Sequence, residues 1–164
     1  MVSVKPNWKS SRAEGAQGEF CAIWRSKELV IGFAAEPVRE GHPPTWLVVH
    51  APVSANLIGR FFNRMDSAYG LLRLSDVEVI FSPEHIQHGS PDYVPSGSLI
   101  LGEDGPLLYV RTDDPREFGI SLQTGEIGPA DLYRSFWTPR WKLMHAGADV
   151  TAEPIFEFGQ APAS

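Results

Sequence analysis

Short apolar runs separated by turn residues fill most of the chain. Runs of about four to eight residues that are rich in strand-forming side chains and end at Gly, Pro, Asn or Asp predict β-strands. The apolar run at residues 45–50 is unbroken, which predicts a strand covered on both faces. The predicted strands are residues 20–24, 29–33, 45–50, 98–102, 107–111, 118–122, 141–144 and 155–158.

Two tight turns make the middle of the chain its best-patterned region. Asp104 followed by Gly105, and Thr124 followed by Gly125, place glycine where a turn needs a positive φ. The strands around these turns predict an antiparallel meander. Residues 75–80 fit either a short helix or a strand, because their apolar spacing alternates while Ser75 suits a helix cap.

Two other segments have the apolar spacing of a helix. The first begins after Ser54, a good N-cap residue, and its apolar side chains recur on one face. The second begins at residues 129–131 and ends before Pro139, because proline does not continue a helix. The predicted apolar faces consist of Leu57, Ile58, Phe61, Phe62 and Met65 in the first helix and of Leu132, Tyr133, Phe136 and Trp137 in the second.

These elements together predict an α+β fold, in which a mostly antiparallel sheet carries one or two helices packed on one face. A length of 164 residues suits one domain. Residues 1–18 have no period and are expected to form a mobile N-terminal arm, with Trp8 docked on the domain. Residues 19–158 are expected to form a single globular α+β domain, and residues 159–164 a C-terminal tail.

The charge balance narrows the choice of partners. With 14 Lys+Arg against 20 Asp+Glu, the formal net charge is −6. This sign disfavours nucleic acid, whose phosphates supply most non-specific affinity, and it disfavours anionic membrane surfaces. It allows a basic protein partner, which an acidic surface attracts. No apolar run reaches the length of a membrane span and the polar start has no signal-peptide core, so a cytoplasmic location is expected.

Common catalytic motifs are absent from the sequence. It has no nucleophile elbow, dinucleotide fingerprint or Walker loop, and no cofactor is expected. Cys21, the one cysteine, is expected to be a buried core thiol rather than a nucleophile. His85 and His88 are the only pair with the spacing of metal ligands. No third ligand stands at a recognisable spacing from them, so a solvated loop is expected there.

Loop carboxylates offer a second candidate chemistry. Two neighbouring turns are expected to bring five of them into one acidic cluster. Aspartate is common in turns for conformational reasons, and the functional alternatives are an acidic binding face, acid–base catalysis or a cation site. The cluster consists of Asp113, Asp114 and Glu117, with Glu103 and Asp104 on the neighbouring turn.

Three motifs occur in a familiar order between residues 70 and 133. Residues 70–75 place a glycine and a short apolar run before a Leu-Ser pair. Residues 99–108 form a hairpin pattern of apolar, Gly, acidic and Gly positions, and residues 120–127 form a strand with a Thr-Gly turn. This order resembles the SUKH superfamily of bacterial immunity and regulatory-interaction proteins. The resemblance implies a non-enzymatic protein that binds and neutralises a toxin domain, and it carries over no contact residue.

The leading expectation is a non-enzymatic, cytoplasmic protein-binding module, either a toxin-neutralising protein or an accessory subunit. Its acidic loops would cover a basic site on the partner, and Trp137 and Trp141 have the composition of an interface hot spot. One alternative is a small hydrolase that uses the loop carboxylates with His50, His85 or His88. Another is a structural component of a larger complex or phage particle.

Overall fold

The structure is a computed structural model that describes residues 8–9, 16–65, 71–88, 93–149 and 151–159. Short antiparallel strands account for nearly all of its regular structure. The strands are β1 (Trp8–Lys9), β2 (Phe20–Arg25), β3 (Glu28–Ala35), β4 (Thr45–His50), β5 (Phe61–Phe62), β6 (Leu71–Leu74), β7 (Val77–Ile80), β8 (Gln87–His88), β9 (Leu99–Gly102), β10 (Gly105–Arg111), β11 (Glu117–Ser121), β12 (Ile127–Gly128), β13 (Phe136–Thr138), β14 (Trp141–His145) and β15 (Phe156–Phe158).

The strands form three sheets. The first sheet has the order β1-β6-β2-β3-β4-β5, the second β12-β11-β10-β9-β13-β8, and the third β15-β14-β7. The eight predicted strands and the meander around β9, β10 and β11 are confirmed. The segment with two possible readings, residues 75–80, ends in a strand, and Asp76 has a φ of 54° in the turn before it.

The predicted α+β fold class is wrong, because the described residues contain no α-helix. Their only helical pieces are two three-residue 3-10 turns, Ala55–Leu57 and Pro83–His85. Strands from the three sheets pack against one another, and no helix covers a sheet face in the part of the chain that the structure describes.

The helix predicted after Ser54 is not formed, because the chain leaves its helical path at Gly59. The Ser54 side chain makes no cap hydrogen bond, and the chain turns at Gly59 with a φ of +85°. A Cβ atom there would lie 2.6 Å from the Ser96 carbonyl oxygen, so the position requires glycine. Beyond it, Phe61–Phe62 pairs with β4. The same apolar spacing is compatible with a 3-10 turn followed by a strand, and pairing with β4 decides between the two structures.

The second predicted helix, residues 129–137, is replaced by a turn and β13. The Oδ1 atom of Asp131 accepts hydrogen bonds from the backbone N–H groups of Tyr133 (3.1 Å) and Arg134 (3.3 Å), which closes a turn. Phe136–Thr138 then pairs with β9. Pro139 ends the strand as it would have ended a helix. It therefore marks the end of an element correctly but does not show whether that element is a helix or a strand.

The main core lies between the sheets and takes side chains from all three. β10 shows the alternation that a strand requires, because Leu108 and Val110 enter this core while Tyr109 packs on the opposite face of the second sheet. β4 behaves as its sequence predicts. Leu47 enters the main core, and Val48 enters a second cluster on the other face of the first sheet.

The ends of the chain are described only in part. Trp8–Lys9 pairs with β6, and Ala16 is fully buried. These residues of the predicted N-terminal arm therefore belong to the sheet and the core. Residues 1–7, 10–15 and 160–164 lie outside the described residues.

The β2–β3 turn generates a stability prediction. Ser26 and Lys27 both have a positive φ, at 49° and 66°, which is the geometry of a two-residue type I′ turn. Asn-Gly is the pair that best tolerates this geometry, so changing Ser26→Asn and Lys27→Gly together should raise the free energy of unfolding by about 1 kcal/mol in urea titrations.

A matched control is Arg25→Gly, one position earlier in β2. Arg25 is the last residue of β2 and has no positive φ, so glycine there only adds backbone freedom to the unfolded chain, and this variant should be less stable than the parent protein. If the double variant were no more stable than the parent protein, the claim that the β2–β3 turn is strained would be contradicted.

Candidate functional site

A concave surface lies where the three sheets meet. It is a groove of about 710 Å³ that receives residues from the β4–β5 connection, the loop before β9, β10 and the turn after it, the β13–β14 turn and β15. We call it the arginine groove after the charged side chains that line it. Its charged lining consists of Arg60, Arg111, Arg140, Asp113 and Glu157, and its aromatic lining of Phe61, Tyr93 and Phe158.

Arg60 is placed by its attachment to β4. The N–H of Val48 donates to the Arg60 carbonyl at 3.0 Å, directly after the turn at Gly59. The guanidinium carbon lies 5.8 Å from the centre of the Phe62 ring, within the range of a cation–π contact. One guanidinium nitrogen lies 3.9 Å from a carboxylate oxygen of Asp113, which is almost fully exposed.

Arg111 is the last residue of β10, and it also lines the arginine groove. Its backbone N–H donates to the Ser96 hydroxyl oxygen at 3.1 Å, and its Cα partner on β11 is Glu117. The side chain is exposed. Its guanidinium makes no hydrogen bond or ion pair with any residue that the structure describes.

Arg140 is held by the β13–β14 turn. Its N–H donates to the Thr138 hydroxyl oxygen (3.2 Å), and that hydroxyl donates back to the Arg140 carbonyl (3.0 Å). The guanidinium lies 3.1 Å from Nε2 of His85. Because arginine can only donate, Nε2 of His85 is the acceptor in a hydrogen bond with the guanidinium.

A second pocket, of about 490 Å³, adjoins the arginine groove and shares Arg140, Glu157 and Phe158 with it. We call it the adjoining pocket. Its remaining lining combines apolar and basic side chains, with Ile80, Phe81 and Trp141 among the former and Lys142 and His85 among the latter.

The floor shared by the two pockets is tightly packed. The rings of Trp141 and Phe158 stack with their centres 5.3 Å apart. Gly97 passes over Phe158 so closely that an added Cβ would lie 2.5 Å from the ring. The Trp141 indole N–H donates to the Gly97 carbonyl at 2.9 Å. The floor is therefore fixed by both packing and a buried hydrogen bond.

The five carboxylates predicted to form one acidic cluster do not lie together. Glu103 and Asp104 form the β9–β10 turn, whereas Asp113, Asp114 and Glu117 follow the other end of β10. β10 has seven residues, so the two groups are separated by roughly 20 Å. Turns at the two ends of one strand cannot be neighbours.

Two of these carboxylates accept hydrogen bonds from other side chains of the protein. Asp114 accepts hydrogen bonds from the Thr112 hydroxyl and, at 2.9 Å, from Nε of Arg116, and these contacts hold the pKa of Asp114 below its usual value. Glu117 accepts a hydrogen bond from the Tyr109 hydroxyl at 2.6 Å. Burial and this contact raise the pKa of Tyr109. Of the group beyond β10, Asp113 is the one that lines the arginine groove.

Trp137 and Trp141 are core residues, each only 3% exposed. Both indoles are packed in the interior, and Trp141 also forms part of the lining of the adjoining pocket. Among the described residues, the exposed aromatic side chains are Trp24, Tyr93, Tyr133 and Phe136. Of these four, Tyr93 lines the arginine groove.

The two histidines with metal-ligand spacing have separate neighbours. His85 contacts Arg140, while the His88 ring packs against Phe136 with the ring centres 4.9 Å apart. The described residues contain no group of three His, Cys, Asp or Glu side chains that could hold a metal ion. The structure therefore does not bring these histidines together with a third ligand within the described chain.

Of the remaining nucleophile and base candidates, Cys21 is buried and His50 is half-buried. Cys21 is fully buried, as predicted, and burial raises the pKa of its thiol to about 12. His50 stacks on Phe156, with the ring centres 5.1 Å apart. Burial lowers the pKa of His50, and the charge of Glu28 partly opposes that shift.

The arginines of the groove were not among the residues singled out from the sequence. They are about 50 and 30 residues apart along the chain, so no local motif joins them. The sequence offers only a weak signal for these arginines, because each one stands at the border of a strand, beside a turn. Only the packing of three sheets brings these borders together.

Comparison with protein-family models, with curated proteins and with solved structures finds no match to this chain. The resemblance of residues 70–133 to the SUKH superfamily therefore stays a prediction. No helix among the described residues is long and apolar enough to cross a membrane.

His50 generates a prediction for stability against pH. Its pKa in the folded protein lies below the ordinary value of 6.5, so the unfolded chain binds the proton more readily. Stability should therefore be lost as the pH falls from above to below 6.5. Urea titrations across this range should show a steeper loss for the parent protein than for His50→Gln, which cannot take up that proton. Equal slopes would contradict the buried environment of His50.

Proposed function

We propose that this protein is a non-catalytic binding module that recognises a protein partner through the arginine groove. One observation carries the proposal: Arg60, Arg111 and Arg140 stand at the borders of three different strands and line one groove. A single exposed arginine is ordinary, whereas three around a concave surface of this volume form a site with a defined shape.

The composition of the groove supports a protein partner. Arginine and tyrosine are enriched at the energetically important positions of protein interfaces, and lysine and glutamate are depleted there. Around the groove, Tyr93 is 67% exposed and Ile58 is 38% exposed, which gives aromatic and aliphatic contact area beside the guanidinium groups.

The charges of the groove support an acidic recognition surface on the partner instead of the basic one expected from the net charge. Three arginines face two carboxylates, those of Asp113 and Glu157. Two of the acidic residues first expected to face the partner, Asp114 and Glu117, have partners within the protein. An overall charge of −6 governs long-range attraction, but contact is decided by the groups in the groove.

The biological setting stays as first proposed, a cytoplasmic toxin-neutralising protein or an accessory subunit. Both functions require a stable partner and an exposed surface that recognises it. The arginine groove is the surface that we propose for this recognition. The hydrolase alternative gains no support from the three histidines. The rings of His50 and His88 pack against phenylalanine rings, and the His85 ring contacts the guanidinium of Arg140.

The test is affinity purification of the tagged protein from its native host, followed by affinity measurement with the partner identified by mass spectrometry. Arg111→Glu and Arg140→Glu should each weaken that complex by roughly tenfold or more, because each places a repelling charge in the groove. The measurement is isothermal titration calorimetry with purified partner.

Arg134→Glu is the matched control, since it makes the same charge change at an exposed arginine of the turn before β13. It should bind like the parent protein. A partner that binds both groove variants with undiminished affinity would contradict the proposal, and so would recovery of the protein as a component of a large particle that the groove variants still join.

A further inference from the structure

We infer that the arginine groove and the adjoining pocket together bind an acidic segment of the partner that carries an apolar anchor side chain. The inference rests on the proposed function, and it names the chemistry of the partner's recognition segment. Two independent features support it: the guanidinium groups of Arg60 and Arg111, which have no strong partner among the described residues, and an apolar floor next to the groove.

Arg60 and Arg111 are free to exchange partners, whereas Arg140 contacts Nε2 of His85. Arg111 makes no hydrogen bond or ion pair with the residues that the structure describes. Arg60 has one weak contact, at 3.9 Å, with the almost fully exposed Asp113. An ion pair of that length in solvent contributes little to stability, so a carboxylate from a partner can displace it. Guanidinium groups bind carboxylates through two parallel hydrogen bonds, which favours Asp and Glu side chains as ligands.

The adjoining pocket supplies the place for an apolar anchor. Its volume of about 490 Å³ is ample for one aromatic or branched aliphatic side chain, and Phe81 and Trp141 are among the apolar groups that line it. Lys142 and Arg140 stand at the same pocket, so an acidic residue next to the anchor also finds a positive charge. Anchors of this kind, seated in a pocket beside polar contacts, dominate the affinity of protein interfaces.

The carboxylates in the groove argue for a peptide and against a nucleic acid strand. Asp113 lies among the arginines, and Glu157 stands opposite Lys142 on the neighbouring strand at the border of the two pockets. A nucleic acid carries a charge on every phosphate and would meet both carboxylates. A peptide can place neutral residues there and carboxylates only where the arginines stand.

The test is fluorescence anisotropy with the full-length protein and short fluorescein-labelled peptides in which Asp alternates with Gly around one Phe. The Asp peptide should bind roughly tenfold or more tightly than a version with Ala for Phe, and than a version with Lys for Asp. Arg111→Glu and Arg140→Glu should reduce its affinity by a similar factor, while Arg134→Glu leaves it unchanged. Arg111→Gln and Arg140→Gln remove the charge more conservatively and should give a smaller loss in the same direction.

Two results would overturn the inference: equal affinity for the Asp and Lys peptides, or tighter binding of a single-stranded oligonucleotide than of the Asp peptide. The natural partner separates this failure from failure of the proposed function. If the groove variants release the partner but the Asp peptide does not compete with it, the groove is the interface and the acidic, anchored segment is wrong. If the groove variants retain the partner, the proposed function itself fails.

Discussion

The structure depends on one buried side chain, Trp141, at the point where three small sheets meet. Its ring stacks on Phe158 of β15 and lies 6.0 Å from Phe20 of the first sheet. Its N–H donates to the carbonyl of Gly97, which leads into β9 of the second sheet. Of the three tryptophans that are buried among the described residues, Trp46 and Trp137 find no acceptor there, whereas the Trp141 N–H joins separate parts of the fold.

This junction explains how an acidic protein can present a groove lined by three arginines. Strand borders and connecting turns from the three sheets meet beside Trp141 and Phe158. Arg111 and Arg140 lie at such borders and have exposed side chains. The site is thus a product of tertiary packing, and it is rigid where the turns are fixed by backbone contacts such as that of Arg140 with Thr138.

The sequence predicted the strands well and the helices and the site poorly, for identifiable physical reasons. The unbroken apolar run of β4 and the glycine turns of the meander are local signals, and they predicted these strands correctly. The run from Leu57 to Met65 has a helical spacing, but pairing of Phe61–Phe62 with β4 and the approach of Gly59 to Ser96 are long-range effects. Acidic residues close in sequence, such as Asp104 and Asp113, lie at opposite ends of β10. The groove arginines, distant in sequence, share one surface.

Native-state amide hydrogen exchange of the parent protein and of Trp141→Phe tests the role of this junction most directly. Phenylalanine keeps an aromatic ring in the core but cannot donate to Gly97. If Trp141 joins the sheets, protection should fall together in β14, in β9 and in β2 beside Phe20. A loss of protection confined to β14 and β15, with β9 and β2 unchanged, would show that the sheets are held together by other contacts.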